Sequence, residues 1–224
     1  MHQTLVKNLP LRIYCAPFVL FLLLIGLTDL LKWLGVSNSQ YWVFPLQTLL
    51  CGGLVLFFWR QYRLALPRQL LFTVAAALLV LGIWVSPQAL FGRPPRLDGF
   101  DPTVFPPGSF SYWATLGFRF LRLAVVVPFV EEIFWRGFLL RYLIKEDFES
   151  VPFGTFTWFS FSFVTVCFMP EHQQADFPAA FVTGILYNGI AIRTRSLSSC
   201  ILAHALTNLL LGFYILATRQ WGFW

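Results

Sequence analysis

Residues 121–144, LRLAVVVPFVEEIFWRGFLLRYLI, decide the fold, because they form a long apolar run with charged residues inside it. At about 1.5 Å per residue, a helix of this length crosses a hydrocarbon core of roughly 30 Å. Glu131, Glu132 and Arg136 lie near the middle of the run. A charged side chain at the bilayer centre costs about 2.5 to 3.5 kcal/mol, so these three must face protein or a wet cavity. The run therefore predicts a membrane-spanning helix that carries a functional site.

Helical spacing separates the three charged residues. Glu132 and Arg136 are four positions apart with the acid first, so they can form an ion pair on one helical face. Glu131 projects about 100° away from Glu132 and has no such partner. A buried carboxylate without a partner is a candidate general base. The alternative is a structural ion pair with one acid that reaches the interface.

Composition places the chain among polytopic membrane proteins. Of its 224 residues, 58% are hydrophobic and 12% are charged. No soluble stretch reaches domain length, so we expect a single integral membrane domain over residues 1–224. The net charge of +6 lies mostly in short connections, which favours membrane orientation and not nucleic-acid binding. We expect the dispersed cysteines to be reduced and buried: Cys15, Cys51, Cys167 and Cys200.

The apolar runs predict an all-α, polytopic membrane helix bundle with about seven transmembrane helices. The predicted spans are residues 13–31, 41–59, 70–90, 121–144, 153–169, 178–192 and 197–216. Since no small-residue cleavage site follows the first run, we treat it as a retained span. Basic residues before the first span, including Lys7, and in alternate connections place the amino terminus in the cytoplasm.

Three features precede the two glutamates of the fourth span. The connection 92–109 is rich in proline and glycine and is expected to be an external loop. The aromatic residues 110–118 are expected to lie at the interface, with Arg119 and Arg122 on the outer side. Pro128 predicts a helix kink, because proline removes one backbone hydrogen bond. An ordinary transmembrane proline is equally compatible with the sequence.

Two histidines lie on neighbouring spans. His204 is inside the seventh span, four residues before Asn208, so both side chains point from one helical face. His172 follows the end of the fifth span. Together with the charged residues of the fourth span, they predict a polar cavity formed by the fourth, fifth and seventh spans. His172 can reach Glu131 only if the fifth span is short or tilted, or if the turn at Pro170 dips into the membrane.

This set of side chains suits peptide hydrolysis. A glutamate beside a histidine can deprotonate water, and a histidine with an asparagine can donate to the oxyanion of a tetrahedral intermediate. The same groups could bind zinc, although the sequence has no His-Glu-x-x-His segment. A proton-coupled transporter would also use intramembrane Glu and His, but the two halves of the chain show no inverted repeat.

Three ordered motifs carry a resemblance to a known family: Glu131-Glu132-x-x-x-Arg136, Phe168-x-x-x-His172 and His204-x-x-x-Asn208. In this order and spacing they resemble the CPBP family, the CAAX proteases and bacteriocin-processing enzymes, which includes the Ras-converting CAAX endoprotease. The resemblance spans residues 121–216. A CPBP-like catalytic core is therefore expected over residues 110–217, whereas residues 1–109 are spans without an assigned role.

The resemblance implies an intramembrane glutamic protease with no cofactor, a divalent metal such as zinc being the alternative. Glu131 and His172 would activate water, His204 and Asn208 would form the oxyanion hole, and the ion pair of the fourth span would support them. The expected partners are the lipid bilayer and a membrane-anchored peptide or protein substrate, in a bacterial inner membrane. The alternative within the family is a non-catalytic immunity or scaffold protein.

Overall fold

The computed structural model describes residues 9–224, which are predominantly helical and contain no β-strand. Lys7 lies outside these residues. The long α-helices before the central part are α1 (Leu9–Trp33), α2 (Gln40–Phe57) and α3 (Leu70–Ala89). The helices after it are α7 (Trp158–Phe168), α8 (Phe177–Thr194) and α9 (Leu197–Thr218). The predicted all-α class is confirmed.

One continuous helical segment, residues 110–142, forms the centre of the bundle, and we call it the central helix. Its α-helical parts are α4 (Phe110–Leu121), α5 (Val127–Glu132) and α6 (Leu140–Tyr142). They are joined by π-helical segments, Arg122–Val126 and Ile133–Leu139. A π-helical turn bonds residue i to residue i+5 and is frequent at functional sites. The helix therefore begins earlier than the predicted fourth span, because residues 110–118 are its first turns, and their position at the membrane interface stays a prediction.

Five helices of the described chain are long and apolar enough to cross a membrane: Leu9–Trp33, Gln40–Phe57, Leu70–Ala89, Gln174–Thr194 and Leu197–Thr218. Large apolar side chains cover their outer surfaces, as shown by Leu71, which is 90% exposed. Such surfaces suit lipid contact, so a polytopic helical membrane bundle is confirmed. By contrast, α7 has 11 residues and is about 16 Å long, less than a bilayer core. The fifth predicted span is therefore short.

Side-chain hydrogen bonds to backbone carbonyls join the helices. Gln47 of α2 donates to the Phe21 carbonyl of α1 at 2.7 Å, and Thr207 of α9 donates to the Ala77 carbonyl of α3 at 3.1 Å. Each bond satisfies a buried polar group inside an apolar bundle, where water is excluded. At Gly184, a Cβ atom would lie 3.3 Å from the Thr165 backbone, so glycine permits close packing of α8 on α7.

The connections follow the sequence prediction in part. Residues 92–109 form a loop that contains only a short 3₁₀ helix, Pro102–Val104. Arginines from two connections and from the end of the central helix line one pocket at the opposite end of the bundle: Arg63, Arg68, Arg141 and Arg195. The four cysteines are free, but only Cys51 and Cys200 are buried. The predicted burial of the other two was wrong, because their helices present them at the edge of the bundle.

Candidate active site

A buried ion pair lies at the centre of the site. Arg136 Nη1 is 3.0 Å from Glu132 Oε1, and both side chains are fully buried. Arg136 Nε also donates to Asn188 Oδ1 of α8 at 3.1 Å. Asn188 in turn donates to Thr165 Oγ1 at 3.1 Å and to the Phe161 carbonyl at 3.2 Å, both in α7. The pair therefore connects the central helix to α7 and α8 as well as balancing charge.

His204 of α9 lies between the two glutamates. Its Nδ1 is 2.9 Å from Glu132 Oε1, and its Nε2 is 4.0 Å from Glu131 Oε2. Because an ionised carboxylate only accepts hydrogen bonds, Nδ1 donates to Glu132 and orients the ring with Nε2 toward Glu131. Nε2 then accepts in the neutral imidazole and donates only when both ring nitrogens carry protons.

Asn208 lies one turn further along α9 and contacts the first π-helical segment. Its Nδ2 donates to the Leu123 carbonyl at 2.9 Å. In this segment the N–H of residue i+5 bonds the carbonyl of residue i, as Val127 does with Arg122. The corresponding partner of Leu123 is Pro128, which has no N–H. Asn208 therefore supplies the donor that proline lacks, and its second amide hydrogen is left for another acceptor.

His172 follows α7 directly after a 3₁₀ turn, Met169–Glu171. Its Nδ1 is 3.2 Å from the Phe168 carbonyl, and its ring centroid is 5.3 Å from that of Trp84 and 5.0 Å from that of Phe168. Burial lowers the pKa of His172 below its ordinary value, since desolvation disfavours the charged ring. A neutral His172 whose Nδ1 donates to Phe168 presents Nε2 as an acceptor, which is the form of a general base.

One cavity of about 240 Å³ contains the four residues proposed for catalysis. They come from the central helix, from the turn after α7 and from α9: Glu131, His172, His204 and Asn208. The ion pair of Glu132 and Arg136 lies behind the cavity wall, fully buried. A cavity of this size has room for several water molecules beside its polar groups.

The sequence of this region matches a known protein family. Residues 113–210 match the family model of the type II CAAX prenyl endopeptidase Rce1-like proteins. These residues belong to the CPBP family. This match, together with the long apolar helices, supports an integral membrane protein of the CAAX protease type. No curated protein and no solved structure matches the chain significantly.

The CPBP region contains a third carboxylate that the sequence analysis missed. Glu171 lines the same cavity, and its Oε2 accepts a hydrogen bond from Trp135 Nε1 at 3.1 Å. Burial raises the pKa of Glu171 well above its ordinary value, and the neighbouring Glu131 carboxylate raises it further. The only signal in the sequence was its position directly before His172.

Two arginines of the CPBP region are also cavity residues, a position that the sequence did not predict. Their placement on the outer side of the membrane stays a prediction. Arg119 and Arg122 are 4% and 9% exposed, and both line the cavity. Arg122 Nε donates to Gln47 Oε1 of α2 at 2.6 Å. Hydropathy alone could not place them, because arginines near the end of a predicted span usually reach the interface.

The arrangement of donors does not fit a catalytic zinc site. Within residues 9–224, no group of three or more His, Cys, Asp or Glu side chains is placed to hold a metal ion. Catalytic zinc usually has three protein ligands, and the described residues do not bring three together. The expectation that no cofactor is needed stays a prediction.

Proposed function

We propose that this CPBP member is a glutamic-type endopeptidase that cleaves a peptide bond near the terminus or membrane anchor of a membrane-associated protein or peptide. The observation that carries the proposal is the position of His204, whose Nδ1 contacts Glu132 at 2.9 Å and whose Nε2 lies 4.0 Å from Glu131. A carboxylate and an imidazole then face one another across a cavity with room for water. This is the pairing that general-base hydrolysis requires.

In the proposed reaction, Glu131 with His172 takes a proton from water, and the resulting hydroxide attacks the scissile carbonyl carbon. The carbonyl oxygen becomes an oxyanion, which accepts hydrogen bonds from His204 Nε2 and Asn208 Nδ2. Collapse of the tetrahedral intermediate breaks the C–N bond, and the abstracted proton passes to the leaving amine. His204 donates in this step only in its doubly protonated form, because its Nδ1 hydrogen is directed at Glu132.

The ion pair of Glu132 and Arg136 has a supporting role in this proposal. Glu132 orients His204, and Arg136 holds Glu132 in place and compensates its charge inside the bundle. Neither residue lines the cavity, so neither is proposed to contact substrate. Contacts of this kind, behind the side chains that line the cavity, set the geometry on which catalysis depends.

The test is cleavage of a panel of membrane-anchored peptides by the purified protein in detergent or liposomes, with and without a chelator. Wild type is compared with Glu131→Gln and His204→Ala, and Glu146→Gln serves as the control, because Glu146 is an exposed glutamate outside the cavity. Cleavage should be lost in both site variants, retained in the control and indifferent to chelator.

The other outcomes separate the alternatives. Loss of cleavage with chelator, restored by zinc, would replace the glutamic mechanism by a metal-dependent one. If wild type cleaves no peptide, but wild type and both site variants bind the same peptide equally well, the non-catalytic scaffold replaces the protease as the function. Proton flux into liposomes that depends on Glu131 would favour the transporter.

A further inference from the structure

Two buried guanidinium groups of the cavity lack a carboxylate partner. In Arg119, both Nε and Nη1 are buried and have no hydrogen-bond partner among residues 9–224. Within the same residues, no acidic side chain lies within 4.0 Å of Arg119 or Arg122. Another arginine of the region is paired, since Arg96 contacts both oxygens of Asp176, at 2.5 and 3.0 Å. The cavity therefore contains two guanidinium groups that no carboxylate contacts, and one of them, Arg119, has unused hydrogen-bond donors.

The environment of Arg119 holds the cation in place without neutralising it. Its guanidinium carbon lies 4.8 Å from the ring centroid of Phe100, 5.4 Å from that of Phe44 and 5.6 Å from that of Trp224. Aromatic faces attract a cation, but they accept no strong hydrogen bonds from its N–H groups. A buried guanidinium stays protonated and is costly to bury unless an anion meets it. This site is therefore built to receive an anion.

We propose that Arg119 and Arg122 form a subsite that binds the free C-terminal carboxylate of the peptide substrate. This inference rests on the proposed function, because it assigns the part of the substrate that follows the scissile bond. A guanidinium matches the two oxygens of a carboxylate in geometry and charge. Arg122 already uses Nε for the neutral amide of Gln47, so its terminal nitrogens are the groups that face the ligand.

The separation along the central helix sets the length of the bound peptide. Arg122 precedes Glu131 by nine residues, which is an axial rise of about 13 Å. Arg119 lies one turn earlier. An extended peptide of three or four residues covers about 10 to 14 Å. A carboxylate three or four residues beyond the scissile bond would therefore reach the arginines while the scissile carbonyl lies at Glu131.

The first test compares two forms of one cleaved peptide, with a free C-terminal acid and with a C-terminal carboxamide. Wild type should cleave the acid with a KM lower by on the order of 10-fold or more, because charged hydrogen bonds are lost in the amide. Arg119→Gln should abolish this preference. Arg93→Gln is the control, since Arg93 is an exposed arginine away from the cavity, and it should keep the preference.

A binding measurement separates this inference from the proposed function. The probe is an acetylated tripeptide of leucine, as acid or amide, titrated against the solubilised Glu131→Gln protein. Tighter binding of the acid in a variant that retains Arg119, lost in Glu131→Gln/Arg119→Gln, supports the subsite even if no peptide is ever cleaved. Equal cleavage of acid and amide by wild type overturns the subsite and leaves the protease standing. If the acid and the amide bind equally, or if neither binds, the subsite is also overturned. This comparison needs no arginine variant.

Discussion

Replacing Arg136 with methionine should strongly destabilise the protein, because the carboxylate of Glu132 would stay buried without a guanidinium partner. Both side chains are fully buried, and their ion pair measures 3.0 Å. The substitution also removes the bond to Asn188 and the contact with the Phe168 ring at 4.9 Å. Breaking one side of a buried pair costs about 3 to 5 kcal/mol. At roughly 2 to 4 °C per kcal/mol for a chain of this size, the expected loss in Tm is about 6 to 20 °C.

The double variant Glu132→Gln/Arg136→Met isolates the buried charge as the cause. It leaves no unpaired ion, while a glutamine at position 132 can still accept from His204 Nδ1. We expect it to recover at least about half of the loss in Tm, since removing both partners avoids the desolvation cost of one unpaired charge.

Thermal unfolding in detergent, followed by tryptophan fluorescence, measures these variants against the exposed control Arg93→Met. If Arg136→Met unfolds at the wild-type temperature, the pair does not stabilise the bundle. If the double variant loses the sum of the two single losses, the buried charge is not the reason for the effect.

Three further predictions use the same preparations. Gly184→Val should destabilise the protein by about 1 to 3 kcal/mol, because a Cβ at this position would already lie 3.3 Å from the Thr165 backbone. Gly189→Val is the control, since a Cβ there meets nothing within 4 Å, and only Gly184→Val should lower the Tm. Asn208→Ala should lower kcat by about 10²- to 10³-fold in the peptide cleavage assay, since one oxyanion donor is lost. Glu171 has a raised pKa, so its contribution to stability is present below the unfolded pKa and is lost as pH rises through the folded pKa. As the pH rises from about 5 to about 8, the Tm of Glu171→Gln should therefore fall less than the Tm of wild type. An equal fall in both proteins would contradict the raised pKa of Glu171.

The helical parts of the fold and the order of the motifs could be predicted from the sequence, because both depend on local spacing. Long apolar runs specify α1, α2, α3 and α9, whose ends lie within a few residues of the predicted spans. The spacing of Glu132 and Arg136 likewise indicated a pair that the structure contains at 3.0 Å. The catalytic roles of the cavity residues stay predictions until the variants are measured.

The cavity walls could not be predicted, because they depend on contacts between distant segments. Asn188 satisfies Arg136 from α8, 52 positions away, and Trp135 donates to Glu171 from 36 positions away. Neither pair has a characteristic spacing. Gln47 of the second span also reaches Arg122, although the first 109 residues match none of the family motifs. The amino-terminal spans therefore contribute directly to the polar site.

The π-helical segment Arg122–Val126 explains why regular helical spacing does not predict that Arg119 and Arg122 line the cavity. In a regular α-helix each residue turns by about 100°, so Arg122 and Glu131, nine positions apart, would point to opposite sides. A turn bonded from i to i+5 takes up about one more residue, which lowers the accumulated rotation by roughly 100°. The angle around the helix axis between Arg122 and Glu131 then falls from about 180° to about 80°. The same angle for Arg119 falls from about 120° to about 20°. The same segment leaves the Leu123 carbonyl for Asn208, so one irregular turn brings an arginine to the face of the glutamate and joins the helix to α9.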